Sequence, residues 1–201
     1  MKKLFTKIRS NYKKIILDFI PAFLGVLIAL VLSDFKEQRK ENEFITKSII
    51  SINNDNLTNL ENINLQIKHL EMQTDTIKFY IENNDVSIIS LLGKNGGLQI
   101  ESLKLSGWNI LQNSTSIIEI DYNFLSLLTK MNESVKTLDS YSKNTFNILY
   151  NSMESNSAND KKRVFILIKD YRNASKHFKR YSEELDTVLQ LKYGKLLTSQ
   201  D

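Results

Sequence analysis

Cysteine is absent from the 201 residues, proline occurs once and glycine six times. Without cysteine the chain has no disulfide framework, no thiolate zinc site and no thiol nucleophile. So little proline and glycine leaves too few turn signals for an all-β or α/β fold. Histidine occurs only at His69 and His177. They fall on different predicted helices with no H-E-x-x-H spacing and no carboxylate constellation, so neither a metal site nor histidine catalysis is expected. No nucleophile turn of the G-x-S-x-G kind occurs either. These absences point to a non-enzyme without metal or cofactor.

What is present suits a helical protein. Hydrophobic residues make up 41% and charged residues 25%, enough to build a core and too apolar for a disordered tail. The length fits one domain with small appendages. The net charge of +4 is a property of one end: Lys2, Lys3, Lys7, Arg9, Lys13 and Lys14 occupy the first 14 residues without an acid. Taking those six from the 27 basic residues leaves 21 against 23 acidic ones. The remainder has no excess positive charge for phosphate contacts, and no nucleic-acid partner is expected.

Directly after the basic tail, Ile15 to Leu32 forms an 18-residue, almost wholly apolar run. That is near the lower end of the length needed to cross the hydrocarbon core of a bilayer. The positive-inside rule keeps the basic end in the cytoplasm and sends the rest outward. A cleaved signal peptide competes, but the run is longer than a usual h-region and Ala29-Leu30-Val31-Leu32-Ser33 lacks an A-x-A-type site. A buried core helix is a poorer match, because the run is apolar around its whole circumference. The chain thus divides into a basic cytoplasmic tail (1–14), a transmembrane helix (15–33) and a helical, periplasmic exterior domain (34–201).

Two residues of the span stand out. Pro21 falls in its first turns, where a missing N–H costs little. Asp18 lies about one turn inside, where a carboxylate is costly. It has two readings: an interfacial residue paired with Lys13 or Lys14, or a carboxylate facing a partner helix. Ala22, Gly25 and Ala29 continue the face of Asp18 as a small-residue stripe that permits close helix approach. The bilayer, and a membrane-protein partner or a second copy of the chain, are the expected partners.

Beyond the span, residues 34 to about 83 lack proline and glycine and carry an apolar stripe. Ile45, Ile49, Ile52, Leu60, Ile63, Ile67, Leu70, Ile77 and Ile81 recur at spacings of three and four, with Asn56 and Thr74 as polar interruptions. This near-heptad pattern predicts a long helix continuous with the span, packed antiparallel or as a coiled coil. The loop Gly93-Lys94-Asn95-Gly96-Gly97 is the clearest break. It has neither P-loop nor GxGxxG spacing, so it reads as a connector. A short helix is predicted over Leu98–Gln112, where Gly107 permits close packing beside Trp108. A long helix follows from Ile117 to about Met153, and a last one from Lys161 to Tyr193, stopped by Gly194. Trp108 and the tyrosines read as core, and Lys161-Lys162-Arg163 as solvated surface. The expected fold is all-α: a single N-terminal transmembrane helix continuing into an up-and-down bundle or coiled-coil-like exterior domain.

Asp18, the run Gly25-Val26-Leu27-Ile28-Ala29-Leu30 and the segment Ser33-Asp34-Phe35-Lys36-Glu37 resemble the N-terminal signature of an uncharacterised bacterial family, a domain of unknown function. In that family an acidic residue stands at the position of Asp18, a Gly-Ile/Val-Leu-Ile-Ala-Leu core follows, and a polar-aromatic segment closes it. Glu101-Ser102-Leu103-Lys104-Leu105-Ser106-Gly107 is similar to its mid-chain element. Phe35 stands where the family usually has Trp, and Pro21 is atypical. The resemblance covers about the first 60 residues well and the rest loosely. It implies a short, inner-membrane-anchored envelope protein with a helical exterior domain, and no activity. Leu17-Asp18-Phe19-Ile20-Pro21-Ala22-Phe23 after a basic tail is similar, more weakly, to the span of ion-driven stator B-type subunits, which implies an ion-carrying role for Asp18. Nothing in the exterior part suggests a peptidoglycan-binding fold. The leading expectation is a non-enzymatic scaffold or accessory subunit of an envelope complex. The alternatives are a stator-like ion-coupling subunit using Asp18 and a helical ligand-sensing domain, which would need a partner to signal inward because no second span follows Leu32.

Overall fold

A computed structural model of the chain describes the backbone of residues 2–198 and the side chains of residues 19–198 other than Glu119. Every regular element among the described residues is helical: α1 (Lys2–Phe79), α2 (Ile88–Gly93), α3 (Ser106–Leu111), α4 (Tyr122–Ser152) and α5 (Ala158–Thr198), with a 3₁₀ turn at Thr115–Glu119. Residues 1–46 and 47–201 form separate compact units, and α1 contributes to both.

Among the described residues the first unit is helix alone. Because α1 starts at Lys2, Pro21 lies deep inside it rather than in a first turn. There it removes the N–H that would reach the carbonyl four residues earlier. Arg39 and Glu43 form an exposed ion pair at 3.3 Å one turn apart, worth a few tenths of a kcal/mol.

In the second unit, α1 buries Ile49, Ile52, Asn56, Asn59, Ile63, Gln66, Leu70, Gln73 and Ile77, an unbroken alternation of three- and four-residue steps. On α5 the steps repeat at Lys161, Val164, Ile168, Tyr171, Ser175, Phe178, Ser182, Leu185 and Leu189. On α4 the buried set includes Phe124, Leu128, Met131, Leu138, Thr145 and Leu149. Helices α1 and α5 run antiparallel, since partners on α5 fall in number as those on α1 rise. Asn56 bonds Ser182, Gln66 bonds Ser175 and Arg172 bonds Thr74. The ion pair Glu71–Lys176 follows the same order. Helices α4 and α5 are also antiparallel: Asp121 meets Lys192 at 2.7 Å, and Phe124 packs edge-on to Tyr193.

The apolar seam is interrupted by two buried polar layers that fix its register. The Asn56 amide donates to the Ser182 carbonyl at 3.0 Å and accepts from the Ser182 hydroxyl. The Gln66 amide donates to the Ser175 hydroxyl at 2.9 Å, which in turn donates to the Tyr171 carbonyl.

Residues 98–105 form no helix, contrary to the expectation for Leu98–Gln112. They run as an extended strap whose backbone is bonded by side chains of α1. Asn59 donates to the Lys104 carbonyl at 2.6 Å and accepts from the Lys104 N–H at 2.7 Å. Asn62 donates to Ser102, and Gln66 accepts from the Glu101 N–H. Further along, Gln73 donates to the Gly97 and Leu92 carbonyls, and His69 also bonds Gly97. These external partners remove the strap's need for helical hydrogen bonds. Helix α3 starts only at Ser106, and no side chain at its own N-cap bonds it. Asp55 of α1 supplies that bond, accepting the Gly107 N–H at 2.9 Å.

Other boundaries also moved. Helix α1 ends at Phe79, before Asn83. The helix expected from Ile117 starts later: Thr115–Glu119 is a 3₁₀ turn capped by Ser114, and α4 begins after Asp121, whose carboxylate accepts from the Phe124 N–H. Gly194 does not stop α5, which runs on to Thr198 and half-buries Leu196 and Leu197. An interior glycine costs only about 1 kcal/mol relative to alanine. Lys161 is not solvated: its side chain is fully buried and donates to the Asn83 carbonyl.

Candidate functional site

The residues singled out from sequence lie on the first unit. All of residues 19–32 are exposed, with Phe19 at 65% and Leu32 at 63%. An 18-residue window of α1 has a mean hydropathy of 1.9, and none of it is buried against the rest of the chain. Among the described residues one helix is therefore long and apolar enough, by length and composition, to cross a membrane. The core-helix reading has no support, since a core helix would hide these side chains. Ala22, Gly25 and Ala29 are exposed, and a Cβ added at Gly25 would meet nothing within 4 Å. The small-residue stripe is thus open. Asp18 and the tail residues Lys2, Lys3, Lys7, Arg9, Lys13 and Lys14 lie outside the residues whose side chains are described.

The second unit carries features that the sequence reading missed. Asp55, Asn59, Asn62, Gln66, His69 and Gln73 all bond the backbone of residues 92–107 from one face of α1. Their steps of four and three mirror the apolar repeat beside them, and that regularity was available in the sequence. Gly107 was expected to permit close packing, and it does. A Cβ there would lie 2.6 Å from the Ile52 nitrogen and 2.9 Å from the Ser51 carbonyl carbon. Trp108 is core, at 6% exposure. The 93–97 segment is a connector, with Gly96 and Gly97 at positive φ (81° and 83°), a conformation that costs glycine little.

Cavities among the described residues that are large enough for a small molecule include one of about 320 Å³ between α4 and α5, walled by Tyr141, Asp170 and His177, and two larger ones. One, of about 520 Å³, is apolar and lies between the α2–strap corner (Ile89, Leu92, Leu98) and the end of α4 (Phe146, Leu149, Met153). The other, of about 360 Å³, lies where α1, the strap, α4 and α5 meet, and is walled by Gln66, Glu101, Leu103, Val135, Leu138, Asp139 and Tyr171. Burial pushes the Tyr171 hydroxyl well above the usual phenol range; Asp139 acts in the same sense and the Gln66 amide opposes it. That hydroxyl stays protonated at any physiological pH, ready to give or accept a hydrogen bond.

Elsewhere two carboxylates are held by lysine partners. The hydrogen bond from Lys176 holds Glu71 below the ordinary carboxylate value, and the bond from Lys192, with the Phe124 N–H, does the same for Asp121. Among the described residues no three His, Asp or Glu side chains gather to hold a metal ion. His69 is engaged with Gly97, and His177 lies beside Arg180 on α5. No nucleophile–base pair is assembled among these groups. No family model, curated protein or solved structure matches the chain.

Proposed function

We propose that the chain is a non-enzymatic, single-pass membrane protein whose helical exterior domain acts as a scaffold or accessory subunit of a bacterial envelope complex. One observation carries this reading: an apolar run of α1, residues 19–32, in which every side chain is exposed. Exposing large apolar side chains to water costs about 1.5–3 kcal/mol each, so a run of them is stable only in apolar surroundings. The basic tail places the N-terminus in the cytoplasm and the exterior domain, read as an up-and-down bundle, in the periplasm. The open face at Ala22, Gly25 and Ala29 is where a membrane-protein partner or a second copy docks. The family likeness at Asp18 and Gly25–Leu30 fits the same role.

The chain lacks cysteine, so single-cysteine variants test the topology cleanly. An impermeant maleimide added outside spheroplasts is expected to label Asn84→Cys, and to label Ser10→Cys only after permeabilisation. The reverse pattern refutes the topology, and release of the chain by alkaline carbonate refutes the anchor. Purification in mild detergent is expected to recover a membrane partner or a homo-oligomer, and Gly25→Leu to reduce that recovery. A lone monomer overturns the scaffold. Asp18→Asn is expected to leave function unchanged; lost function with intact assembly would favour ion coupling instead.

A further inference from the structure

We propose that a small void between α1, the strap and α3 binds one ordered water molecule, held by the indole N–H of Trp108. Two independent observations meet there. The first is an orphaned donor. Trp108 is 6% exposed, and its Nε1 is covered from solvent and donates to no atom of the chain. An indole nitrogen can only donate, and a buried N–H without an acceptor costs free energy comparable to a lost hydrogen bond. The second is a space of matching size. Trp108 lines a volume of about 10 Å³, close to the roughly 10–15 Å³ that a single water needs. No organic ligand fits so small a space.

The wall supplies the remaining partners. Beside its apolar residues it carries Asp55, Asn56 and Asn59 of α1. The Asp55 carboxylate takes the Gly107 N–H on one oxygen and has further lone pairs to offer. The Asn56 and Asn59 carbonyl oxygens accept from the Ser182 hydroxyl and the Lys104 N–H, and each keeps a second lone pair. A water that accepts from Trp108 thus has acceptors on the same wall for its own protons. It meets the roughly two to four polar partners that a buried water requires. Apolar walls keep such a space dry, and this wall is not apolar. A bare cation is a poor match because the orphaned group is itself a donor, and an anion is repelled by Asp55. The water ties α3 to α1 through the tryptophan side chain, next to the direct bond from Gly107 to Asp55. The proposal is independent of the membrane reading and of any partner in the bilayer.

Trp108 is the only tryptophan, so isotope labelling of the indole nitrogen in the full chain, in detergent, gives one indole resonance. NOE and ROE spectra are expected to show a cross-peak between its proton and water with opposite signs in the two experiments, as a bound water gives. Direct exchange of the proton with solvent gives the same sign in both. A serine hydroxyl in exchange with solvent also resonates with water, and Ser182 bonds Asn56 on the wall. The cross-peak is therefore expected to persist in Ser182→Ala, whose fold circular dichroism checks. Absence of the cross-peak, equal signs, or its loss in folded Ser182→Ala overturns the proposal. So does a crystal structure that resolves ordered water and shows none bonded to the indole nitrogen.

Discussion

Replacing Gly107 by alanine adds one methyl group at the point where α3 crosses α1. That methyl would sit 2.6 Å from the Ile52 nitrogen, 2.8 Å from Ile52 Cγ1 and 2.9 Å from the Ser51 carbonyl carbon. Two of these three neighbours are backbone atoms of a long helix and cannot swing aside, so α3 must back away. Its retreat stretches the Asp55 bond to the Gly107 N–H and loosens Trp108. Overpacking of this kind costs about 1–3 kcal/mol, and helix propensity, which favours alanine by about 1 kcal/mol, offsets only part of it. Gly194→Ala is the control. It is also helical, but its nearest neighbour is a side-chain oxygen at 3.9 Å, so propensity acts alone and stabilises by about 0.5–1 kcal/mol. The single tryptophan lies beside Gly107 and reports urea unfolding in detergent. The midpoint is expected to fall for Gly107→Ala and rise for Gly194→Ala. Equal shifts in the same direction would refute the close crossing.

Other perturbations test the remaining contacts. Asn59→Ala removes both bonds to the Lys104 backbone; it should cost about 1–2 kcal/mol and speed tryptic cleavage after Lys104, while an unchanged cleavage rate would argue against the fastening. Ser182→Ala leaves the Asn56 carbonyl oxygen without the hydroxyl donor in a buried layer, an expected loss of about 1–3 kcal/mol measured by the same urea titration. Glu71 and Asp121 titrate below their ordinary values of 4.5 and 3.8 because lysine bonds favour the charged form. Their stabilisation is therefore complete above about pH 4.5 and is lost as the pH falls through the lowered folded values. The unfolding midpoint should drop between pH 5 and pH 2 (roughly the window these two groups span), and Glu71→Gln should flatten that decline; an identical pH profile in the variant would contradict it.

The long helices were legible because their burial follows a period that leaves a mark on composition. Ile49, Ile52, Ile63, Leu70 and Ile77 stand at heptad spacing and are all buried. The glycines at 93, 96 and 97 marked the connector by the backbone freedom two of them use. The strap was not legible. Local pattern weighs each segment against its own neighbours, whereas residues 98–105 are held by Asn59, Asn62 and Gln66, some 35 to 45 positions earlier. Lys161 misled for a related reason, since a basic run at a helix start normally faces water and the carbonyl that receives it belongs to Asn83. The cavity at Tyr171 draws on four chain segments, and no linear spacing brings Gln66, Glu101, Asp139 and Tyr171 together.

The fastening of the strap treats its two sides unequally. On α1 the grip depends on particular side chains, because an amide must stand at Asn59, Asn62 and Gln66. On the strap the same bonds land on peptide groups, which every residue type except proline supplies in full. Ser102 and Lys104 point their side chains to solvent and play no part in being held. The outward positions of the strap can therefore be rewritten while its path stays fixed, a display rail that α1 carries along its polar edge.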